Sequence, residues 1–360
     1  MKKKYMHVRQ MCQVLFLVTA LLIGIRFYQF TVPLEQGMVQ DIQRPPGVEA
    51  FLPISALVSL KYFALTHGIN EIHPSGLLIF LFVVLTAVWV KKSFCSWVCP
   101  IGFLSEILTH LHFRLFKKGV KLTPLLDFAL RGLKYCILAF FLFTILYKMS
   151  SLALEQFIFS SYNIVADIKM LKFFTDISMT ALGGILVLVV LSIIIRYFWC
   201  RYLCPYGALL GALSFLSPFK VRRDPVTCTN CKKCDRACPC SILISKKNTI
   251  VSDECFACGK CVDACPETDT LFISLPKKKF KLSPWAVAGM VILVFLGGSL
   301  MARRAGIWHN QVPNTVYLGA MLENNLIDIK GVKDMDTFVS NLDNGSRRLL
   351  MMKMMQERKK

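Results

Sequence analysis

The chain has 360 residues, 43 Lys and Arg against 22 Asp and Glu, a formal net charge of +21, and 15 cysteines. It is 55% hydrophobic and 18% charged, whereas a soluble domain is about 45–50% apolar and about 25% charged. That balance excludes a single soluble domain and a disordered tail, and the cysteine count excludes an ordinary membrane channel.

The basic start MKKKYMHVR leads into an apolar run, Met11–Phe30. A helix needs roughly 20 apolar residues to cross the hydrocarbon core, so this run is the first expected span. The start is similar to a signal-peptide n-region, but the run is long and no small-residue cleavage site follows, which favours an uncleaved anchor. Further spans are expected at about Ile72–Val90, Gly132–Leu154, Ile177–Trp199 and Trp285–Ala302. Phe51–Leu65 and Leu152–Ala166 are apolar but interrupted by Pro, Ser, Lys or Asn. They are too short to span and read as interfacial or re-entrant pieces.

Lys and Arg mark the inner side of a membrane protein. Lys2, Lys3, Lys4 and Arg9 precede the first span. Lys91, Lys92, Arg114, Lys117, Lys118 and Lys121 follow the second, and Arg196, Arg201, Lys220, Arg222 and Arg223 follow the fourth. The alternate loops carry only Arg44 and Lys61, and Lys148, Lys169 and Lys172. A multi-pass protein of the cell inner membrane is expected, with its N-terminus cytoplasmic. Five spans place the tail, residues 303–360, outside, although Arg303 and Arg304 directly follow the fifth. Because the basic residues flank spans, the charge reads as a topology and anionic-lipid signal, with membrane lipid and not nucleic acid as the partner.

Eight cysteines form two identical runs, Cys228-x2-Cys231-x2-Cys234-x3-Cys238-Pro239 and Cys255-x2-Cys258-x2-Cys261-x3-Cys265-Pro266. Each matches the bacterial ferredoxin run, in which three thiolates wrap one [4Fe–4S] cluster and the fourth ligates the other cluster. Cys228, Cys231, Cys234 and Cys265 are therefore assigned to the first cluster. Cys255, Cys258, Cys261 and Cys238 are assigned to the second. Zinc ribbons use two C-x2-C pairs, not two runs of four each closed by Pro, and disulfides need an oxidising compartment that the basic flanks argue against.

Two shorter motifs, FCSWVCPIGFL (94–104) and WCRYLCPYGAL (199–209), each follow a span. Each is also preceded, one span earlier, by an interfacial stretch. This repeat predicts two parallel hairpins about a pseudo-two-fold along the membrane normal, bringing Cys95, Cys99, Cys200 and Cys204 together at the cytoplasmic edge. Four thiols there can take a third cluster, a metal ion or dithiol chemistry, or they can be ligand-free capping motifs. Pro100 and Pro205 suit the first turn of a helix, and PIGFLSEILTHLHFRLF reads as an amphipathic cytoplasmic helix.

None of the six histidines lies at a span centre, so a buried bis-His haem is not expected. His110 and His112 read as facing water or headgroups. His67, Glu71 and His73 read as a solvated outer loop, with a quinone-headgroup site as the sharper alternative. Arg26 and Gln29 are expected to snorkel. Cys12 and Cys136 are expected to pack in apolar helices, and Cys240 lies outside the ferredoxin spacing.

These motifs, with Arg9, Gln10 and the segment RPPGVEAFLPISAL (44–57), make residues 8–280 resemble the NapH/NosR/CcoG group of membrane polyferredoxins. The resemblance implies an inner-membrane electron-transfer subunit taking electrons from quinol, as in a quinol dehydrogenase, and passing them to a redox partner protein. It also implies that both C-x3-C-P pairs function. The chain lacks the flavin-binding domain of the NosR branch, and no immunoglobulin-like outer domain of the CcoG branch is recognised.

The expected fold is an all-α polytopic bundle of about five transmembrane helices with two pseudo-repeated hairpins. A small α+β two-[4Fe–4S] ferredoxin domain is inserted on the cytoplasmic side. The expected domains are 1–217 (four membrane helices and both C-x3-C-P motifs), 218–276 (ferredoxin), 284–302 (fifth helix) and 303–360 (tail). The expected function is one-electron relay between a quinone pool or cytoplasmic donor and a partner. The rivals are a copper reductase or oxidase-assembly factor of the CcoG type, and a redox-sensing membrane regulator.

Overall fold

The computed structural model describes residues 4–116, 122–276, 280–332 and 334–357. Lys2 and Lys3, and Lys117, Lys118 and Lys121 of the basic loop, lie outside the described residues. The chain divides into two compact units. One comprises residues 1–19, 81–143 and 179–300, the other 20–80, 144–178 and 301–360. The chain therefore passes between units five times, each time within or at the start of an apolar helix.

Among the described residues three helices are long and apolar enough to cross a membrane by length and composition: Lys4–Glu35, Pro124–Lys148 and Pro284–Arg304. Their ends follow from local chemistry. Pro124 and Pro284 each open a helix, where a missing N–H costs nothing, and Ser283 caps the third by accepting from the Ala286 amide at 3.1 Å. Leu15, Leu21, Leu22 and Ile25 of the first helix are exposed, as lipid-facing side chains must be.

The other two expected spans are shorter than the sequence suggests. Pro74–Trp89 and Met179–Ile194 have 16 residues each, about 24 Å of helix against a hydrocarbon core of about 30 Å. Pro74 fixes the start of one, and a left-handed Lys91 (φ 49°) follows its end. The other is followed by a left-handed Tyr197 (φ 56°). The interfacial stretches are helical, at Pro53–Thr66 and at Ser151–Ile158 with Ser161–Ile164.

In the unit made of 20–80, 144–178 and 301–360, the tail is part of the core. Tyr317, Leu318, Met321 and Phe338 are buried with Phe27, Phe30, Val48, Ile158 and Val165. The unit also holds a buried ion cluster. Arg44 donates to Asp167 at 2.5 Å and to Glu49 at 2.6 Å, and its third nitrogen lies 3.2 Å from His73 Nδ1. Glu49 also accepts from the Ser75 hydroxyl and the Gly76 amide, both at 2.6 Å. His73 is thus buried, contrary to the solvated loop expected for it, while His67 and Glu71 are exposed.

In the other unit, strand β1 (Lys220–Arg223) pairs antiparallel with β2 (Leu271–Ser274), Val221 opposite Ile273. The two strands bracket the ferredoxin segment, and Val221, Ile244, Ile250 and Ile273 form its core. His112 is buried against the Ile193 carbonyl at 2.7 Å and does not face water or headgroups. Cys12 packs in the core as expected, whereas Cys136 is exposed.

Candidate metal centres

The two ferredoxin runs fold into two loops of the same backbone form. Asn230 and Lys232 in the first run have φ of 53° and 57°, and Ala257 and Gly259 at the same positions in the second have 49° and 72°. Left-handed backbone is uncommon outside glycine, and its recurrence turns both loops inward around a cavity. One cavity is lined by Cys228, Cys231, Cys234 and Cys265. The other is lined by Cys238, Cys255, Cys258 and Cys261, with Cys240 beside them. These are the crosswise sets read from the spacing. The first cavity lies nearer the surface, with Cys231 exposed and Cys228 and Cys265 partly buried. In the second, Cys238, Cys255 and Cys261 are buried.

Gly259 has a second constraint: a Cβ there would stand 2.4 Å from the Tyr5 ring. Tyr5 hydrogen-bonds the Leu282 carbonyl. The Tyr5 and Met6 amides donate to Asp263 at 3.1 and 2.8 Å, so Asp263 supplies the acceptor that the first helix turn lacks.

The C-x3-C-P motifs converge as the repeat predicts. Every pair among Cys95, Cys99, Cys200 and Cys204 lies within electrostatic reach. Cys99 and Cys204 sit at the N-caps of Pro100–Leu115 and Pro205–Leu213, and the Gly207 amide donates to Cys204 Sγ at 3.3 Å. The glycine two residues after the first proline, Gly102, is required by a close approach. A Cβ on it would stand 1.9 Å from the Cys95 carbonyl oxygen, so the helix can pass the first cysteine only without a side chain there.

This site abuts the second ferredoxin loop. The Ser96 hydroxyl donates to the Phe256 carbonyl at 2.7 Å, Trp97 Nε1 to the Ala257 carbonyl at 3.4 Å, and Arg196 to the Cys238 carbonyl at 3.4 Å. Burial pushes the Cys99 thiol up to about 11 and that of Cys200 to about 12. Among the described residues no three His, Cys, Asp or Glu stand close enough to hold one metal ion.

Sequence reasoning missed the buried charges here. Arg9 and Glu106 pair, with Lys260 3.0 Å from the same carboxylate. Lys134 contacts Glu254, and Lys92 is fully buried. A lysine just past a span reads as a topology signal, and only its tertiary partners reveal otherwise.

Comparison with known proteins places these features. A family described as "4Fe-4S binding domain" matches residues 72–121 and 177–224, each containing one C-x3-C-P motif. A family described as "4Fe-4S dicluster domain" matches 220–266. The chain is 38% identical over 315 residues to "Putative electron transport protein YccM" of Escherichia coli (strain K12), spanning 86% of this chain and 88% of that protein. It is 30% identical over 198 residues to "Ferredoxin-type protein NapH" of Haemophilus influenzae, 52% of this chain and 64% of that one. It is 27% identical over 227 residues to "Regulatory protein NosR" of Pseudomonas aeruginosa, 59% of this chain and 30% of that one. No solved structure matches. Fold and cysteines together define a membrane iron–sulfur protein of the ferredoxin type. The chain belongs to the NapH/NosR-type membrane polyferredoxin family.

Proposed function

We propose that the protein relays single electrons between a membrane quinone pool and a redox partner protein. The relay uses two ferredoxin clusters and a third centre held by Cys95, Cys99, Cys200 and Cys204. The observation that carries this reading is the pair of cavities, each lined by its own crosswise set of four cysteines. Iron–sulfur clusters bound in such sites supply one-electron transfer at potentials set by charge, hydrogen bonding and exposure. The residues set the order. Ser96 and Trp97 tie the C-x3-C-P site to the buried second cavity, and the more exposed first cavity offers the outlet to a partner. Quinol as donor, which the family resemblance implies, gives up two electrons and two protons. The electrons enter the chain of centres one at a time and the protons leave to water.

Residues 218–276 form the ferredoxin domain in this reading. The five passages between units support five spans, short ones included. The tail shares a core with 20–80 and 144–178, the segments poor in Lys and Arg, which supports an extracytoplasmic tail and cytoplasmic centres in an inner membrane.

The test is iron and sulfide quantitation with EPR on anaerobically purified protein. Three cubanes give about twelve irons per chain and two give about eight. Reduction of the clusters by quinol analogues in reconstituted membranes is the expected result, and no exchange with any quinol removes the quinone step.

A further inference from the structure

Lys92 lies three residues before Cys95. Its side chain is 0% exposed, and its Nζ has no hydrogen-bond partner among the described residues. The nearest carboxylate oxygen, Glu254 Oε2, is 3.9 Å away and itself lacks a hydrogen bond. Glu254 already contacts Lys134, also fully buried, so two buried ammonium groups face one buried carboxylate. Neighbouring Asp253 is partly exposed and is bonded to Tyr135 at 2.5 Å. A buried cation without hydrogen bonds is costly unless further negative charge faces it. Nζ stands 5.2 Å from the centroid of the Phe256 ring, which follows Cys255 on the second ferredoxin loop, and the cysteines on either side of it lie within reach of its charge. Cys95, Cys200 and Cys204 feel the Lys92 charge from the C-x3-C-P site, and Cys240 and Cys255 feel it from the wall of the second ferredoxin cavity.

We propose that Lys92 is a shared positive counter-charge for an iron–sulfur centre on Cys95, Cys99, Cys200 and Cys204 and for the second ferredoxin cluster, raising the reduction potential of both. The inference rests on the reading above that these four cysteines hold such a centre. Reduction adds one negative charge to a thiolate-ligated cluster, so a fixed cation in a low-dielectric setting favours the reduced form. Among the described residues Lys92 makes no ion pair or ring contact with the lining of the first ferredoxin cavity, so that cluster is the internal control. Lys92 is a positioning residue for electrons: it holds potentials, not iron.

The experiment is an EPR-monitored redox titration of the full-length protein, purified anaerobically in detergent, with iron counted in every sample. In Lys92→Met the reduced-to-oxidised ratio of the C-x3-C-P centre at fixed ambient potential falls tenfold or more. That is a downward shift of at least about 59 mV for a one-electron couple. The second ferredoxin cluster shifts the same way, the first does not move, and Lys92→Arg stays near wild type. Glu254→Gln, which removes the opposing negative charge, shifts the same two centres upward. It carries the test if Lys92→Met fails to load iron. Unchanged potentials in both variants at full iron content overturn the inference and leave the three-centre reading standing. Wild-type protein with about eight irons and two EPR signals overturns that reading and this inference with it.

Discussion

Arg9 and Glu106, 97 residues apart, meet in a buried bidentate ion pair with N···O distances of 2.5 and 2.6 Å. Gln13 and Lys260 complete the shell around the carboxylate at 3.3 and 3.0 Å. The first helix, the helix after the first C-x3-C-P motif and the second ferredoxin loop are thus held by one carboxylate. Removing one partner of a buried pair strands the other charge and costs about 3–5 kcal/mol. Glu106→Ala therefore lowers the melting temperature of the purified protein and exposes the ferredoxin loop to protease. Arg9→Met with Glu106→Leu recovers part of the loss, because the fully buried guanidinium is gone and only the less buried Lys260 is left without its partner.

The ligand crossover is tested by two serine substitutions. Cys265→Ser alters the EPR signal of the first ferredoxin cluster, although Cys265 belongs to the second run. Cys238→Ser alters that of the second. A result in which each run's own cluster is damaged instead contradicts the cavity linings.

The two C-x3-C-P glycines are not equivalent. A Cβ at Gly102 meets the Cys95 carbonyl oxygen at 1.9 Å, and one at Gly207 meets the Cys200 carbonyl oxygen at 3.4 Å, an ordinary contact. Gly102→Ala displaces the cysteine backbone and lowers the iron content of the purified protein, while Gly207→Ala retains it.

The Arg44 cluster gives a pH dependence. Burial pushes the Glu49 carboxyl up, but Arg44, His73 and Ser75 outweigh it and hold it at about 2. An unfolded Glu titrates near about 4.3. A carboxyl depressed by folding stabilises fully above the unfolded value, and that stability is lost as pH falls through the folded one. The difference corresponds to about 3 kcal/mol. Amide exchange of segments 46–52 and 74–78, relative to intrinsic rates, accelerates between pH 4.3 and 2 in the native chain. In Glu49→Gln it is already fast at pH 6.

The cysteines that line each cavity were legible because the run's spacing puts three thiols on one loop and sends the fourth, before Pro, toward the other run's cavity. The repeat likewise placed Cys95, Cys99, Cys200 and Cys204 together. Hydropathy overestimated the second and fourth spans, since it cannot see that Pro74, Lys91 and Tyr197 break the helix. It also took Arg44, His73, His112 and Lys92 for solvated or topological residues, and Lys134 went unread. Burial of a charge depends on partners from elsewhere in the chain: Asp167 lies 123 residues from Arg44 and Glu254 lies 120 from Lys134. No local pattern announces either.

The acceptor for the opening amides of the first helix, Asp263, lies 258 residues downstream of Tyr5. At about 5–20 residues per second, the ribosome delivers that aspartate only on the order of tens of seconds after the helix has emerged. The helix must therefore enter the bilayer with its leading turn hydrated, and its final anchorage waits for the loop that carries Cys258 and Cys261. Asp263→Ala therefore leaves the first turn without its acceptor and opens the chain near residue 5 to protease in the purified protein.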